Sequence, residues 1–162
     1  MATIIIGDVH GCIEELKQLL QKVTSGVDKV DEVIFAGDLM DKGPDSVSVL
    51  RYVKELDERL NVTVVEGNHE NKNFRFWKKM EAGDPDRAME MKGAEELSDI
   101  MAKADNSLRN WIRDKVVPYA VRPQLKLVVV HGGITPTVAE LPEDPSALGG
   151  KNKKRVLRSM YI

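Results

Sequence analysis

The chain contains three histidines, and each of them follows closely after an apolar run that is typical of a β-strand. Asp8 precedes His10 by two residues, Asn68 directly precedes His69, and His131 stands at the end of its own run. Imidazole nitrogen combined with carboxylate or amide oxygen is a ligand set that proteins use for divalent transition metals. A lone histidine is more often structural, but the same placement repeated three times indicates a metal site.

A fourth motif, Gly37–Gly43, carries two aspartates three residues apart, Asp38 and Asp41. It follows the apolar run Val33–Ala36, which predicts a buried strand. Aspartate and glycine favour turns for local reasons, so this segment alone is typical of an ordinary turn. Together with the histidine motifs it predicts carboxylate ligands for a cation, because carboxylate oxygens replace the hydration that the ion loses.

This set of side chains suits the hydrolysis of phosphate esters. That reaction needs a nucleophilic water at neutral pH and relief of negative charge on the phosphoryl oxygens. Two divalent cations about 3.5–4 Å apart supply both. Histidine and carboxylate ligands together suit Mn, Fe or Zn better than Mg.

The elements that must position these residues form a β-α-β-α-β pattern. Thr3–Ile6, Val33–Ala36 and Asn61–Val65 predict strands, and apolar residues at helical spacing predict amphipathic helices over Cys12–Thr24 and Asp45–Leu56. Right-handed crossovers would make the strands parallel and bring the motif loops to one edge of the sheet. The sequence therefore predicts the α/β class, with motif loops at the strand C-termini.

The middle of the chain, Asn71–Val117, is polar and has several helical patterns. We interpret it as a helical excursion from the sheet. Its first cationic side chains are typical of a solvated helix face, and contact with a phosphate is the alternative. These side chains are Lys72, Arg75, Lys78 and Lys79.

Two later runs predict further strands. Leu125–Val130 reads as a buried strand that leads into His131, and Val156–Ile162 reads as one more strand at the end of the chain. Turn-forming prolines and glycines separate the two runs. With its 162 residues, the chain is expected to form a single domain, residues 1–162.

Composition excludes several classes of protein. The chain is 42% hydrophobic and 31% charged, which is typical of a globular domain rather than a disordered one. A net charge of −2 argues against nucleic acid as the main partner, and no apolar run is long enough to cross a membrane. One cysteine, Cys12, and the lack of a visible secretory signal predict a reducing, cytoplasmic location.

Taken in order, the motifs resemble those of the calcineurin-like metallophosphoesterases. Within them they resemble the phosphoprotein-phosphatase (PPP) superfamily of bacterial and phage type, which also holds the symmetrical diadenosine tetraphosphate hydrolases. The resemblance covers nearly the whole chain, and it implies a β-sandwich flanked by helices with the site at the sheet edge. The matching motifs are Gly7–Gly11, Gly37–Gly43, Gly67–Glu70 and His131–Gly133.

The resemblance also implies a ligand for each of two divalent metal ions, with Mn expected first and Fe or Zn as alternatives. Asp8 and His10 would bind the first ion, Asp38 would bridge the pair, and Asn68 and His131 would bind the second. The amide of Asn68 would also contact the substrate phosphate.

The same resemblance implies the remaining roles at the site. His69 would be the general acid that protonates the leaving oxygen, and Asp41 would orient it. Lys42 stands where the family usually has an arginine that forks onto phosphate oxygens. Lysine keeps the charge but loses the bidentate geometry, so we expect a weaker phosphate contact.

Three functions follow as hypotheses. The first is a Ser/Thr phosphoprotein phosphatase, which Asp41, Glu70 and the Gly132–Gly133 pair favour. The second is a symmetrical diadenosine tetraphosphate hydrolase, although those enzymes tend to lack an aspartate at position 41. The third is a weakly active module that binds metal or phosphate. The substrate would be a phosphoprotein or a small phosphorylated molecule.

The end of the chain departs from the family pattern. Family members have one more metal-binding histidine well downstream, whereas no histidine follows His131 here. The last residues, Arg155–Ile162, resemble a segment from the middle of the family domain. We therefore expect a C-terminally truncated form whose second metal lacks one ligand.

Overall fold

The computed structural model of the chain describes residues 2–25, 29–134, 136, 138 and 141–148. This part contains six β-strands and six α-helices, together with two short 3₁₀ turns. The predicted α/β class is confirmed. The predicted strand Val156–Ile162 lies outside the described residues. So do the last residues of the chain that resemble a family segment, Arg155–Ile162.

The main sheet has four parallel strands, in the spatial order β1-β2-β3-β4. They are β1 (Thr3–Ile6), β2 (Glu32–Phe35), β3 (Asn61–Val65) and β4 (Val116–Val117). Phe35 of β2 pairs with Ile6 of β1 and with Val64 of β3. This register brings the carboxyl ends of the three longer strands level with one another, so the loops that follow them meet at one edge.

Helices α1 (Ile13–Thr24) and α2 (Ser46–Asp57) make the two crossovers and cover one face of the sheet. Their apolar stripes bury Leu16 of α1 and Leu50 of α2 in the main core. Helix α2 begins where the sequence predicts, because the side chain of Asp45 accepts a hydrogen bond from the Ser48 amide at 2.9 Å and caps the helix.

The helical excursion consists of four helices that pack beside the same core. They are α3 (Asn68–Glu81), α4 (Pro85–Met89), α5 (Ala94–Lys103) and α6 (Asn106–Lys115). Trp77 of α3 and Leu97 of α5 are fully buried. The excursion returns to the sheet at β4, which pairs with β3. The sequence does not predict β4, because a strand of two residues is too short to show a periodic pattern.

A second sheet is formed by an antiparallel hairpin of β5 (Ala120–Arg122) and β6 (Leu127–Val129). The observed strand β6 is therefore shorter at both ends than the predicted strand Leu125–Val130. The sequence pattern does not predict β5. The strand starts late because Pro123–Leu125 forms a 3₁₀ turn that ends at Lys126, whose φ of 50° is left-handed.

The hairpin covers the face of the main sheet opposite the helices. Ala120 and Val129 form a buried cluster with Ile34 of β2 and Val65 of β3. Two sheets thus face each other across a small apolar layer, with helices outside the larger one. This arrangement agrees with the expected sandwich in the described part of the chain.

A partly buried ion pair joins the hairpin to the main sheet. Arg122 donates to both carboxylate oxygens of Glu32, at 3.1 and 2.9 Å from Nε, and its terminal nitrogen donates to Thr63 Oγ at 3.0 Å. These hydrogen bonds and the nearby positive charge lower the pKa of Glu32.

No helix in the described residues is long and apolar enough to cross a membrane.

Candidate metal and active site

The loops that follow β1 and β2 are bonded to each other at the edge of the sheet. The amides of Val9 and His10 both donate to the carbonyl of Asp38, at 3.0 and 2.9 Å, and the Gly11 amide donates to Leu39. His10, Asp38 and also Asp41 have left-handed φ values, of 47°, 55° and 68°. Such strain is tolerated only where surrounding contacts fix the backbone, and it is typical of functional sites.

Asp38 lies at the centre of the candidate site and is 3% exposed. Its Oδ2 atom is 3.6 Å from Nε2 of His10, 3.4 Å from Nε2 of His131 and 4.0 Å from Nε2 of His69. Its other oxygen accepts a hydrogen bond from the His69 amide at 3.0 Å. One carboxylate oxygen therefore faces all three imidazole rings.

Backbone carbonyls set the tautomers of two of these rings. Nδ1 of His10 donates to the Met40 carbonyl at 3.0 Å, and Nδ1 of His131 donates to the Ala36 carbonyl at 2.9 Å. A carbonyl can only accept, so the proton is on Nδ1 in each ring. In the neutral ring Nε2 then presents a lone pair toward Asp38, an arrangement typical of metal-ligating histidine.

Two further groups of oxygen donors lie beside the imidazole rings. Oδ1 of Asn68 is 3.1 Å from Nε2 of His131, and the carboxylate of Asp8 lies 3.8 Å from His10 Nε2. These atoms repel one another unless a cation or an added proton lies between them. The donor set of carboxylate, amide and imidazole fits two divalent cations that share Asp38, which is the chemistry of a two-metal hydrolytic site.

His69 is held in a different way from the other two histidines. Its Nδ1 donates to Oδ2 of buried Asp41 at 2.8 Å, which leaves Nε2 directed toward Asp38. The second oxygen of Asp41 accepts from the Asn73 amide group at 2.9 Å, and its backbone amide donates to Ser46 Oγ at 3.0 Å. The site thus contains an imidazole whose orientation is fixed from behind by a carboxylate.

Asn73 is a site residue that the sequence motifs do not include. It lies four residues after His69 on α3, one helical turn away, and its side chain also donates to the His69 carbonyl at 3.0 Å. The sequence signal for Asn73 is its spacing from His69, because residues four apart lie on the same face of a helix.

Glu70 connects two of the loops beneath the site and is fully buried. Its Oε2 accepts from the amides of Asp38 and Gly67, at 2.7 and 2.9 Å, and its Oε1 accepts from the Leu39 amide at 2.7 Å. Burial raises the pKa of Glu70 to about 7, although the three N–H donors act in the opposite direction. The motif analysis gave this residue no structural role.

Glycine is required at a point where the site loops approach one another. Gly37 has a φ of +102°, and a Cβ atom there would lie 2.8 Å from the Gly67 nitrogen and from Nδ1 of His131. Any side chain at this position would push the β2 loop away from the other two ligand-bearing segments.

Two lysines also reach the site. Nζ of Lys42 is 3.3 Å from Nε2 of His10, and Nζ of Lys72 is 3.4 Å from Oδ2 of Asp41. The interpretation of Lys72 as part of a solvated helix face is therefore wrong. The side chain turns inward because the buried carboxylate of Asp41 attracts it.

The structure thus brings together every residue that the sequence places in the site. Five of them surround the proposed metal positions, and two form the histidine–carboxylate pair. The set is Asp8, His10, Asp38, Asn68, His131, His69, Asp41 and Lys42. Their individual roles stay predictions.

Fold and site together define an α/β protein with a candidate metal site where its loops meet. Comparison with known families identifies the class of protein. The sequence profile of the calcineurin-like phosphoesterases matches residues 1–157. The chain belongs to this family, as the motifs predicted.

Several relatives share one activity name, symmetrical bis(5'-nucleosyl)-tetraphosphatase. The protein from Proteus mirabilis (strain HI4320) is 36% identical over 137 residues, covering 84% of this chain and 46% of the relative. The one from Serratia proteamaculans (strain 568) is 38% identical over 137 residues, covering 84% and 44%. The one from Wigglesworthia glossinidia brevipalpis is 31% identical over 169 residues, covering 100% and 58%.

A solved structure gives the same picture. A crystal structure of a chain assigned as a diadenosine tetraphosphatase superposes with a TM-score of 0.58 and 26% sequence identity, covering 88% of this chain and 56% of that chain. The present chain therefore spans about half the length of the relatives that it matches.

Proposed function

We propose that the chain catalyses metal-dependent hydrolysis of phosphate esters or anhydrides. The observation that supports this most directly is the position of Asp38. One of its two carboxylate oxygens, Oδ2, faces the unprotonated nitrogens of both His10 and His131. Divalent cations bound there would supply a nucleophilic water at neutral pH and neutralise charge on the phosphoryl group.

The proposed ligands are the residues that surround Asp38. Asp8 and His10 would hold one ion with Asp38, and Asn68 and His131 would hold the other. Mn is the first candidate, and Fe or Zn are alternatives, because the site mixes imidazole with oxygen donors. Lys42 and Asn68 would bind the phosphoryl oxygens.

His69 is the proposed general acid. Its Nδ1–H is bound to Asp41, so the proton that reaches the leaving oxygen must come from Nε2. Asp41, Asn73 and the Ser46 hydroxyl keep the ring aimed at the site. A positioned acid of this kind contributes roughly 10²–10⁴-fold to the rate.

We propose a dinucleoside tetraphosphate, cleaved symmetrically, as the substrate. The motifs alone favour a Ser/Thr phosphoprotein phosphatase, but the relatives named above are symmetrical dinucleoside tetraphosphatases. Similarity over 84% of this chain supports the small-molecule substrate over the phosphoprotein.

A Ser/Thr phosphoprotein phosphatase is the second candidate. The observation in its favour is the buried Asp41–His69 pair, with a distance of 2.8 Å between Oδ2 and Nδ1. An aspartate at this position is more typical of the phosphoprotein phosphatases in the resemblance described above.

A product assay distinguishes these candidates. Purified protein loaded with Mn²⁺ is incubated separately with diadenosine tetraphosphate and with a phosphothreonine peptide. ADP as the sole nucleotide product supports our proposal, because symmetrical cleavage divides the four phosphates equally. Release of phosphate from the peptide alone would support the second candidate. Turnover of neither substrate by metal-loaded protein would favour a weakly active module that binds metal or phosphate.

A further inference from the structure

An open groove leads away from the candidate site between helices α3 and α5. It has a volume of about 690 Å³, which is within the range of small-molecule binding sites. Asn68 and His69 line its inner end, and Gly93, the residue before α5, lines its far side. The groove is therefore continuous with the position where the phosphoryl group would react.

The walls of this groove are strongly cationic. Lys42, Lys72, Arg75 and Lys92 all line it, against a single carboxylate from Glu96. The chain as a whole has a net charge of −2, so this concentration of positive charge runs against the overall composition. Cations gathered in a concave surface raise the local potential and favour an anionic ligand.

The positive charges in the outer part of the groove are only partly compensated by neighbouring acids. Within the described part of the chain, neither the guanidinium of Arg75 nor the ammonium of Lys92 forms an ion pair. Glu96 contributes one negative charge to the groove, and its Oε1 accepts a hydrogen bond from the Lys42 amide at 2.5 Å, so it offsets only part of the surrounding positive charge. Lys72 is partly compensated by Asp41, at 3.4 Å.

We propose that this groove binds a condensed phosphate chain, namely the part of a polyphosphate substrate that extends beyond the phosphate held at Lys42 and Asn68. Lys72 stands at the inner end and Arg75 follows it by three residues on the same face of α3. Lys92 faces them from the segment that precedes α5. These three cations bind substrates with several linked phosphates more tightly than they bind simple monoesters. The inference rests on the proposed function, since it assumes that phosphate reacts beside Asp38.

The test uses inorganic tripolyphosphate and orthophosphate as probes of the metal-free protein, with binding measured by isothermal titration calorimetry. The wild-type chain is expected to bind tripolyphosphate at least about tenfold more tightly than orthophosphate, because several charge-assisted contacts act together. An Arg75→Ala/Lys92→Ala double variant should lose about tenfold in tripolyphosphate affinity.

A Lys78→Ala/Lys79→Ala double variant is the matched control. It removes the same total of two positive charges, here both from α3, but neither residue lines the groove. It should bind tripolyphosphate as the wild type does, and circular dichroism should show that both double variants are folded. Equal loss in both double variants would overturn the proposal, since net charge would then explain the binding. Unchanged binding by Arg75→Ala/Lys92→Ala, or no binding by the wild type, would also overturn it.

A second assay separates this inference from the proposed function. Hydrolysis of p-nitrophenyl phosphate by Mn²⁺-loaded protein reports on the reaction centre without a phosphate chain. It should be unaffected by Arg75→Ala/Lys92→Ala, and a large loss would show that these cations serve the reaction centre instead. If the protein hydrolysed no phosphate compound, that result would count against the proposed function. The tripolyphosphate affinities would still show whether the groove binds a phosphate chain.

Discussion

Asp38 presents one carboxylate oxygen to three imidazole rings, at 3.4–4.0 Å. Asparagine has the same shape but lacks the negative charge that two shared cations require. For Asp38→Asn we expect bound Mn²⁺ to fall from about two ions per chain to one or none. The measurement is metal content by mass spectrometry after removal of excess metal. Two ions per chain in the variant would show that Asp38 is not the bridge.

Asp41 fixes the proton of His69 on Nδ1. Asparagine can donate as well as accept at this position, so Asp41→Asn allows the ring to place its proton on Nε2 and leave Nδ1 unprotonated. We expect kcat to fall by about 10²–10⁴-fold with metal content unchanged. A His69→Ala variant should lose a similar factor, and combining the two should cost little more, because the residues act as a unit. Additive losses would argue against the pair.

At the scale of single residues, the sequence predicts which side chains meet at the site, because each of them lies in a short motif after a strand. Lys72 and Asn73 were not predictable in the same way. Both lie on α3, and only the fold shows that its first turns contact Asp41. The role of Glu70 depends on amides from two different loops, which no local pattern records.

At the scale of elements, Glu70 clamps the loops after β2 and β3 through three backbone amides. Glutamine keeps the size but turns an NH₂ group toward at least one of these N–H donors. We expect Glu70→Gln to lower the free energy of unfolding of the metal-free protein by about 1–3 kcal/mol, the cost of a buried donor without an acceptor. Urea unfolding measures this. An unchanged midpoint would mean that the loops are held by other contacts.

The same carboxyl makes stability depend on pH. Burial raises the pKa of Glu70 to about 7 from an ordinary value of 4.5, so the folded state keeps a proton that the unfolded state releases. The contribution is fully present below pH 4.5 and is lost as pH rises through 7, by up to about 3 kcal/mol. Urea unfolding of metal-free protein at pH 5 and pH 8 should show this decrease, and Glu70→Gln should show a smaller one. Equal decreases would assign the effect to other groups.

The elements differ in how well the sequence predicts them. The strands and helices of the β-α-β-α-β unit have long apolar patterns, and the observed bounds differ from the prediction by about one residue. The β5–β6 hairpin was harder, because its strands are three residues each and a 3₁₀ turn occupies the start of the predicted run. Its position is set by tertiary contacts, chiefly the Arg122–Glu32 ion pair and the Ala120–Ile34 cluster.

At the scale of the whole molecule, the candidate ligands come from segments that are far apart in sequence. Asp8 follows β1, Asp38 follows β2, Asn68 follows β3, and His131 follows the hairpin of the second sheet. Metal ions at this edge would therefore link the two sheets as well as the three loops. The cytoplasmic location and the single domain stay predictions, since they depend on composition and length.

This linkage predicts that metal stabilises the whole described fold. A ligand that binds only the folded state adds about 2.7 kcal/mol to the free energy of unfolding at a concentration 100 times its dissociation constant. We expect Mn²⁺ to raise the urea midpoint of the wild type and a chelator to reverse the rise. Asp38→Asn should show a much smaller rise, because one change weakens both proposed ion positions. Arg113→Ala removes a partly exposed ion pair with Glu81 and a contact with the Trp77 ring, both away from the site, and its urea midpoint should rise with Mn²⁺ as that of the wild type does. If Mn²⁺ left the wild-type midpoint unchanged, the ligand cluster would not be a metal site that couples to folding, and the proposed hydrolysis would lose its physical basis.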